Sequence, residues 1–324
     1  MSSPNSVLSK LHFVDLYIGE DYCDIKGLQG ADAARVQAPL HLMDTVKHLR
    51  ELCHETYTKQ EEPEFSIIFD DVMFRVTAMA DVMNKEVFIL RRSTAEIRNL
   101  NRIGLSPALT QFIMHRETSG LVLCVGEMAA GKTSSIASMF KERLVEHGGI
   151  GLAIEDPPET KLNGEHGKGR CIQVRASRKN GGYREQLIRA VRSGADMILV
   201  GEIRDEDTAF QAAQASINGH LIMSTMHGGS IIKGIERYAT YCKSKTENAY
   251  GILADGLAAV FWQGLEKVPK QGGNGFSIRL QSEYLILNGP DGQSARSKIR
   301  EGKFHQLVQE IEEQKSRNVW QPGK

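Results

Sequence analysis

The stretch GEMAAGKT, residues Gly126 to Thr133, separates two glycines by four residues and follows the second with Lys-Thr. Its context is GLVLCV before and SSIASMF after, an apolar strand, a loop and a helix in that order. A loop of this kind turns its backbone N–H groups toward one point, and the N-terminus of the following helix adds partial positive charge there. The pattern therefore predicts a phosphate cradle built from Gly126, Glu127, Met128, Ala129, Ala130, Gly131, Lys132, Thr133 and Ser134. Lys132 would reach the β- and γ-phosphates of a nucleotide such as ATP, and Thr133 would hold Mg²⁺. Glu127, Met128, Ala129 and Ala130 would contribute mainly their amides.

Working outward, LVLCV (121–125), GLAIE (151–155), CIQVR (171–175), MILVG (197–201) and LIMST (221–225) read as buried strands. Helical patterns separate them. The clearest is 205–218, capped by Asp205, favoured by Glu206 and Asp207 at its positive end and stopped by Asn218-Gly219. Such alternation predicts an α/β fold with a mainly parallel sheet covered on both faces. In that fold chemistry gathers at the strand C-termini. AIEDPPE (153–159) delivers Glu155 and Asp156 to that edge. DMILVGEIRDED (196–207) delivers Glu202, with Gly201 at the position where an aspartate is usual. Glu202, assisted by Glu155, would orient an attacking water directly or through Mg²⁺, so both join Thr133 as metal-ligand candidates. GHLIMSTMHGGS (219–230) brings Thr225 and His227, whose imidazole would hydrogen-bond a γ-phosphate.

The chain before residue 106 has another character. HFVDLYIG, FSIIFDDVMFRVTAMAD and EVFILRR alternate like antiparallel strands around a helix at HLMDTVKHLRELCHETY. The turn signals in NRIGLSP (101–107) set the expected boundary, giving a smaller α+β domain over 1–105 and the α/β domain over 106–324. Near the end, GFSIRLQSEYLILNGPDGQ suggests a hairpin and SARSKIREGKFHQLVQEIEEQKSR one or two charged helices.

Composition narrows the class further. The 324 residues are 41% hydrophobic and 25% charged, and no window approaches the roughly 20 apolar residues of a membrane span. The start MSSPNSVLSKLHFVDLY has neither a basic segment nor an apolar core, so export by a signal peptide is not expected. Five scattered cysteines form no C-x-x-C pair and read as reduced core residues. Forty basic residues balance forty acidic ones, which argues against nucleic acid as a partner. The same phosphate loop could still serve a helicase-like motor or an interaction module that binds ATP and scarcely hydrolyses it.

Taken together, GEMAAGKT, AIEDPPE, ILVGEIRD and TMHGG preceded by GHL resemble the phosphate loop, Asp box, atypical Walker B and His box of the secretion and type IV pilus traffic ATPases. The resemblance is strongest to the PilT-like branch, which includes pilus-retraction motors and the DotB/TraJ-type ATPases of type IVB secretion and conjugation. IREGKFHQ (299–306) is similar to that branch's C-terminal signature, and VDLYIG (14–19) echoes the opening of its N-terminal domain. The likeness implies a RecA-like P-loop NTPase domain, a PAS-like N-terminal domain, and nucleotide-directed arginines at Arg75 and Arg91. It further implies a homohexameric ring in the cytoplasm, held peripherally to the inner membrane by platform or coupling proteins of a pilus, secretion or conjugation machine. Several positions depart from the family's pattern. Met128, Ala129 and Ala130 stand where Thr, Gly and Ser are usual, RSGAD (192–196) replaces REDPD, and HGGS (227–230) replaces HTTS.

Overall fold

The computed structural model describes residues 7–93, 96–269 and 276–320. Residues 1–6, where the expectation about export begins, lie outside them. Internal contacts divide the chain into two units. The first takes the residues up to Glu96 with Asp156–Lys161 and Ser177–Lys179. The second takes Ile97–Glu155, Leu162–Ala176 and the chain from Asn180 onward.

The first unit is a six-stranded antiparallel sheet built from β1 (Asp15–Ile18), β2 (Cys23–Lys26), β3 (Arg35–Gln37), β4 (Glu64–Phe69), β5 (Val72–Ala80) and β6 (Glu86–Arg92). Its spatial order is β3-β2-β1-β6-β5-β4. The helix Met43–Gln60 buries Val46, Leu49 and Cys53 in the same core as Leu16, Phe65, Phe74, Phe88 and Leu90. Strands β4 and β5 turn at Asp70-Asp71, both in the left-handed region at φ 50° and 63°. A two-residue hairpin loop with both φ values positive matches the strand twist, and aspartate tolerates it better than most side chains. The strands β2 and β3 were not expected. CDIK and RVQ are short and carry too little apolar alternation to stand out.

The second unit is an eight-stranded sheet: β7 (Gly120–Gly126), β8 (Gly149–Glu155), β9 (Gly164–His166), β10 (Gly169–Arg175), β11 (Met197–Val200), β12 (Leu221–His227), β13 (Leu257–Pro269) and β14 (Phe276–Ile286). Its order is β14-β13-β7-β12-β11-β8-β10-β9, parallel except at the two outermost pairings. Along β7, Leu121, Leu123 and Val125 enter one core while Val122 and Cys124 enter the other. Both faces being covered, the strand reads as an unbroken apolar run. The helix Glu206–Ile217 starts as its sequence suggests, with Asp205 accepting from the Thr208 N–H at 2.8 Å and from its hydroxyl at 2.9 Å.

One expectation needs correction. Residues 276–286 form a single strand, and the hairpin is made with β13, from Ala259 opposite Ile286 to Pro269 opposite Phe276. LAAVFWQ follows the helix Ala249–Gly256 without a further breaker, so the apolar pattern merges two elements. The charged terminal segment forms two helices, Gln293–Arg300 and Leu307–Trp320. All five cysteines are free and buried. Among the described residues no helix is long and apolar enough to cross a membrane.

Candidate phosphate-loop site

Four adjacent parallel strands, β7, β12, β11 and β8, bring their C-terminal ends to one edge of the second unit. Gly126 ends β7 directly opposite His227, the last residue of β12. Glu155 ends β8, and Glu202 follows β11 by two residues. Hydrogen bonds beyond the strand ends pin Glu202 on both sides. Gly201 N–H donates to Ile154 O at 2.8 Å, and Ile203 N–H donates to Thr225 O at 2.9 Å. Thr225 also donates its hydroxyl to Gly201 O at 2.7 Å.

Between β7 and the helix Lys132–His147 the chain makes a short loop whose last residue, Gly131, holds φ 80° as the helix N-cap. Glycine is the residue that adopts this backbone without steric cost. Ala129 holds φ 60° with a Cβ in place. That conformation costs an alanine roughly 1 kcal/mol. Glu127, Met128 and Ala129 are exposed, Ala130 is buried, and Thr133 and Ser134 are half-buried on the first helical turn.

Lys132 is 8% exposed, and its Nζ donates to Glu127 O at 2.7 Å and lies 3.5 Å from His227 Nδ1. The opposite ring nitrogen, Nε2, sits 3.2 Å from Glu202 Oε1. Lys132, His227 and Glu202 thus form one connected line across the strand ends. Burial pulls the Lys132 ammonium below its ordinary range, and attraction to the Glu202 carboxylate offsets part of that pull. A buried cation at a helix N-terminus opposes the helix dipole, so the arrangement favours an arriving anion.

Glu155 is 3% exposed and accepts from Gln173 Nε2 at 2.7 Å. A side chain at position 201 would start 3.2 Å from Glu155 Cγ and 3.2 Å from Tyr183 Oη. The Glu155 side chain and the Tyr183 hydroxyl therefore border the space beside β11 into which a side chain at 201 would project. The donor set at this edge, one hydroxyl at Thr133 and carboxylates at Glu155 and Glu202, consists of hard oxygens of the kind that suit Mg²⁺.

Arg75 and Arg91 belong to the first unit, where they stand directly opposite each other on β5 and β6. Carboxylates meet both. Arg91 Nε donates to Asp15 Oδ1 at 2.8 Å and its Nη2 to Oδ2 at 3.3 Å, while Arg75 Nη1 lies 3.3 Å from Glu159 Oε1. The Asp15 hydrogen bond and charge raise the Arg91 guanidinium above its ordinary range. Sequence reasoning missed Arg237, whose Nη1 donates to His227 O at 2.9 Å, and Gln173, which holds Glu155. Neither sits in a motif; both act across the fold.

Similarity to known proteins agrees with this geometry. The chain is 30% identical over 227 residues to the uncharacterized protein YggR of Escherichia coli strain K12, covering 69% of this chain and 65% of the relative. It is 32% identical over 196 residues to the type IV pilus retractation ATPase PilT of Pseudomonas aeruginosa, covering 60% of this chain and 53% of the relative. It thus spans less than two thirds of the length of these curated relatives. Among solved structures, the pilus retraction motor PilT with bound ADP superposes with a TM-score of 0.72 at 24% identity, covering 93% of this chain and 86% of that one. The Legionella pneumophila ATPase DotB gives 0.72 at 18% identity over 92% and 84%. These likenesses carry the fold, a larger unit with a mainly parallel sheet and a smaller N-terminal unit with an antiparallel sheet. A family model described as type II/IV secretion system protein matches residues 50–284, and with the four motifs converging on one sheet edge the chain belongs to that family.

Proposed function

We propose that this chain is a Mg²⁺-dependent ATPase, acting as a homohexameric motor of a pilus, type IVB secretion or conjugation machine. The observation that carries the reading is the line Lys132–His227–Glu202 at the head of the loop helix, with a buried cation poised against the dipole. Relatives named as type IV pilus ATPases support it. Lys132 and the loop amides would bind the phosphates, His227 would sense the γ-phosphate, and Glu202 would orient the attacking water with Glu155 beside it. Mg²⁺, held by Thr133, Glu155 and Glu202 together with phosphate oxygens, would neutralise charge between the β- and γ-phosphates. Arg75 and Arg91 are the arginines assigned to phosphate charge. We place the protein in the cytoplasm, docked to an inner-membrane platform through protein partners.

The test is ATP turnover by the purified chain with and without Mg²⁺, beside Glu202→Gln, with particle size read in the same samples. Hexamer-sized particles should hydrolyse ATP, and Glu202→Gln should lower turnover about 100-fold while ATP still binds. No binding and no turnover by the unaltered chain would overturn the reading. A second reading, a nucleotide-gated ring with negligible hydrolysis, is favoured by the strained Ala129 and predicts binding without turnover.

A further inference from the structure

Gln263 is the seventh residue of β13 and the polar end of an otherwise apolar run, LAAVFWQ. Its side chain is buried at 1% exposure, where an unmatched amide would be costly. Both ends are matched. Nε2 donates to Ala130 O at 2.6 Å, and Oε1 accepts from Cys124 Sγ at 3.5 Å. Burial raises the Cys124 thiol well above its ordinary range, so it remains a neutral S–H donor, while the Ala130 carbonyl accepts only. These two partners fix which end of the amide faces the loop. The loop meets the same residue at two more points. A Cβ built on Gly126 would lie 2.5 Å from Gln263 O, and one on Gly131 would lie 3.3 Å from Gln263 Nε2.

We infer that Gln263 is the positioning residue of the phosphate loop, holding the Ala130 carbonyl turned into the protein so that the neighbouring amides face the phosphates. The inference rests on the nucleotide-binding reading above. The Ala130–Gly131 peptide is the one that needs holding, because glycine accepts φ values of either sign and lets that peptide rotate. Rotated, it would aim a carbonyl oxygen at an anion. Ala129 already sits in left-handed backbone against its own preference; inside the loop the Ala130 N–H donates to Glu127 O at a long 3.3 Å, and the short contact that fixes the Ala130 carbonyl comes from Gln263.

The experiment compares Gln263→Leu, close in size without the donor, and Gln263→Glu, which puts an acceptor against the carbonyl. Competition by ADP and by adenosine against a fluorescent ATP analogue is measured for each and for the unaltered chain. ADP affinity should fall about tenfold in Gln263→Leu and further in Gln263→Glu, with adenosine unchanged, since only phosphates report on the loop. A role in packing alone would weaken both ligands equally, and that result, or unchanged ADP affinity in a folded variant, overturns the inference. Should the Gln263 variants not fold, Cys124→Ala decides. It should weaken ADP about threefold with rescue by Cys124→Ser, and no change would overturn the inference. An unaltered chain that binds no ADP would instead remove the nucleotide reading itself.

Discussion

The helix Lys132–His147 buries a cation near each end, and the two are held in opposite ways. Arg143, 6% exposed, donates from Nη1 to Ile113 O and to His115 O, the latter at 2.8 Å, and from Nη2 to Arg116 O at 3.2 Å. His147 Nε2 takes Met114 O at 2.8 Å. Together they cover carbonyls at and just beyond the end of the helix Pro107–Met114, and both lie toward the negative end of their own helix. Lys132, buried to a similar degree, has one short bond to Glu127 O and a longer approach to His227, at the positive end of the dipole. Arg143 is given three carbonyl acceptors at its two terminal nitrogens, although its Nε is buried without a partner among the described residues. On the proposed function, Lys132 is left with fewer acceptors so that the energy forgone in folding is recovered when phosphate binds.

That contrast can be broken most directly by truncating each cation. Arg143→Ala should cost about 3 kcal/mol in a denaturant titration, because several carbonyls lose their donor, and the folded protein should keep its nucleotide affinity. Lys132→Ala should do the reverse, lowering nucleotide affinity about 100-fold with apo stability unchanged or improved. If both variants lost stability equally, the distinction between the two ends would fail.

A smaller effect sharpens the role of the loop backbone. Ala129→Gly removes a Cβ held at φ 60° and should tighten ADP binding about threefold, measured by equilibrium titration. Weaker binding would mean that the alanine helps to hold the loop in its binding shape.

The smallest effect is the pH dependence of the free protein. Lys132 titrates below 10.5 when folded, so between its folded value and 10.5 the unfolded chain binds more protons. Stability from this group therefore rises with pH across that window. Lys132→Met should melt above the unaltered protein near neutrality, and the gap should narrow as the pH approaches 10.5. Burial lowers the Arg143 guanidinium in the same direction but from a starting value of 12.5, so the end of its window lies above that of Lys132.

Much of this was legible in the chain alone, and for identifiable reasons. The strands 121–125, 151–155, 197–201 and 221–225 announced themselves because burial on both faces demands continuous apolar runs. GEMAAGKT, AIEDPPE, ILVGEIRD and TMHGG were readable because each is a local requirement at a strand end, and parallel topology delivers strand ends to one edge. The helix start at Asp205 was readable because a cap acts within three residues. What the tertiary structure alone decided lies at long separation. Gln263 reaches Ala130 across 133 residues, Glu202 meets His227 between neighbouring strands, and β13 claims β14 as its hairpin partner. No local pattern encodes these pairings, since each depends on which strand lies beside which, and that order follows from packing the whole sheet.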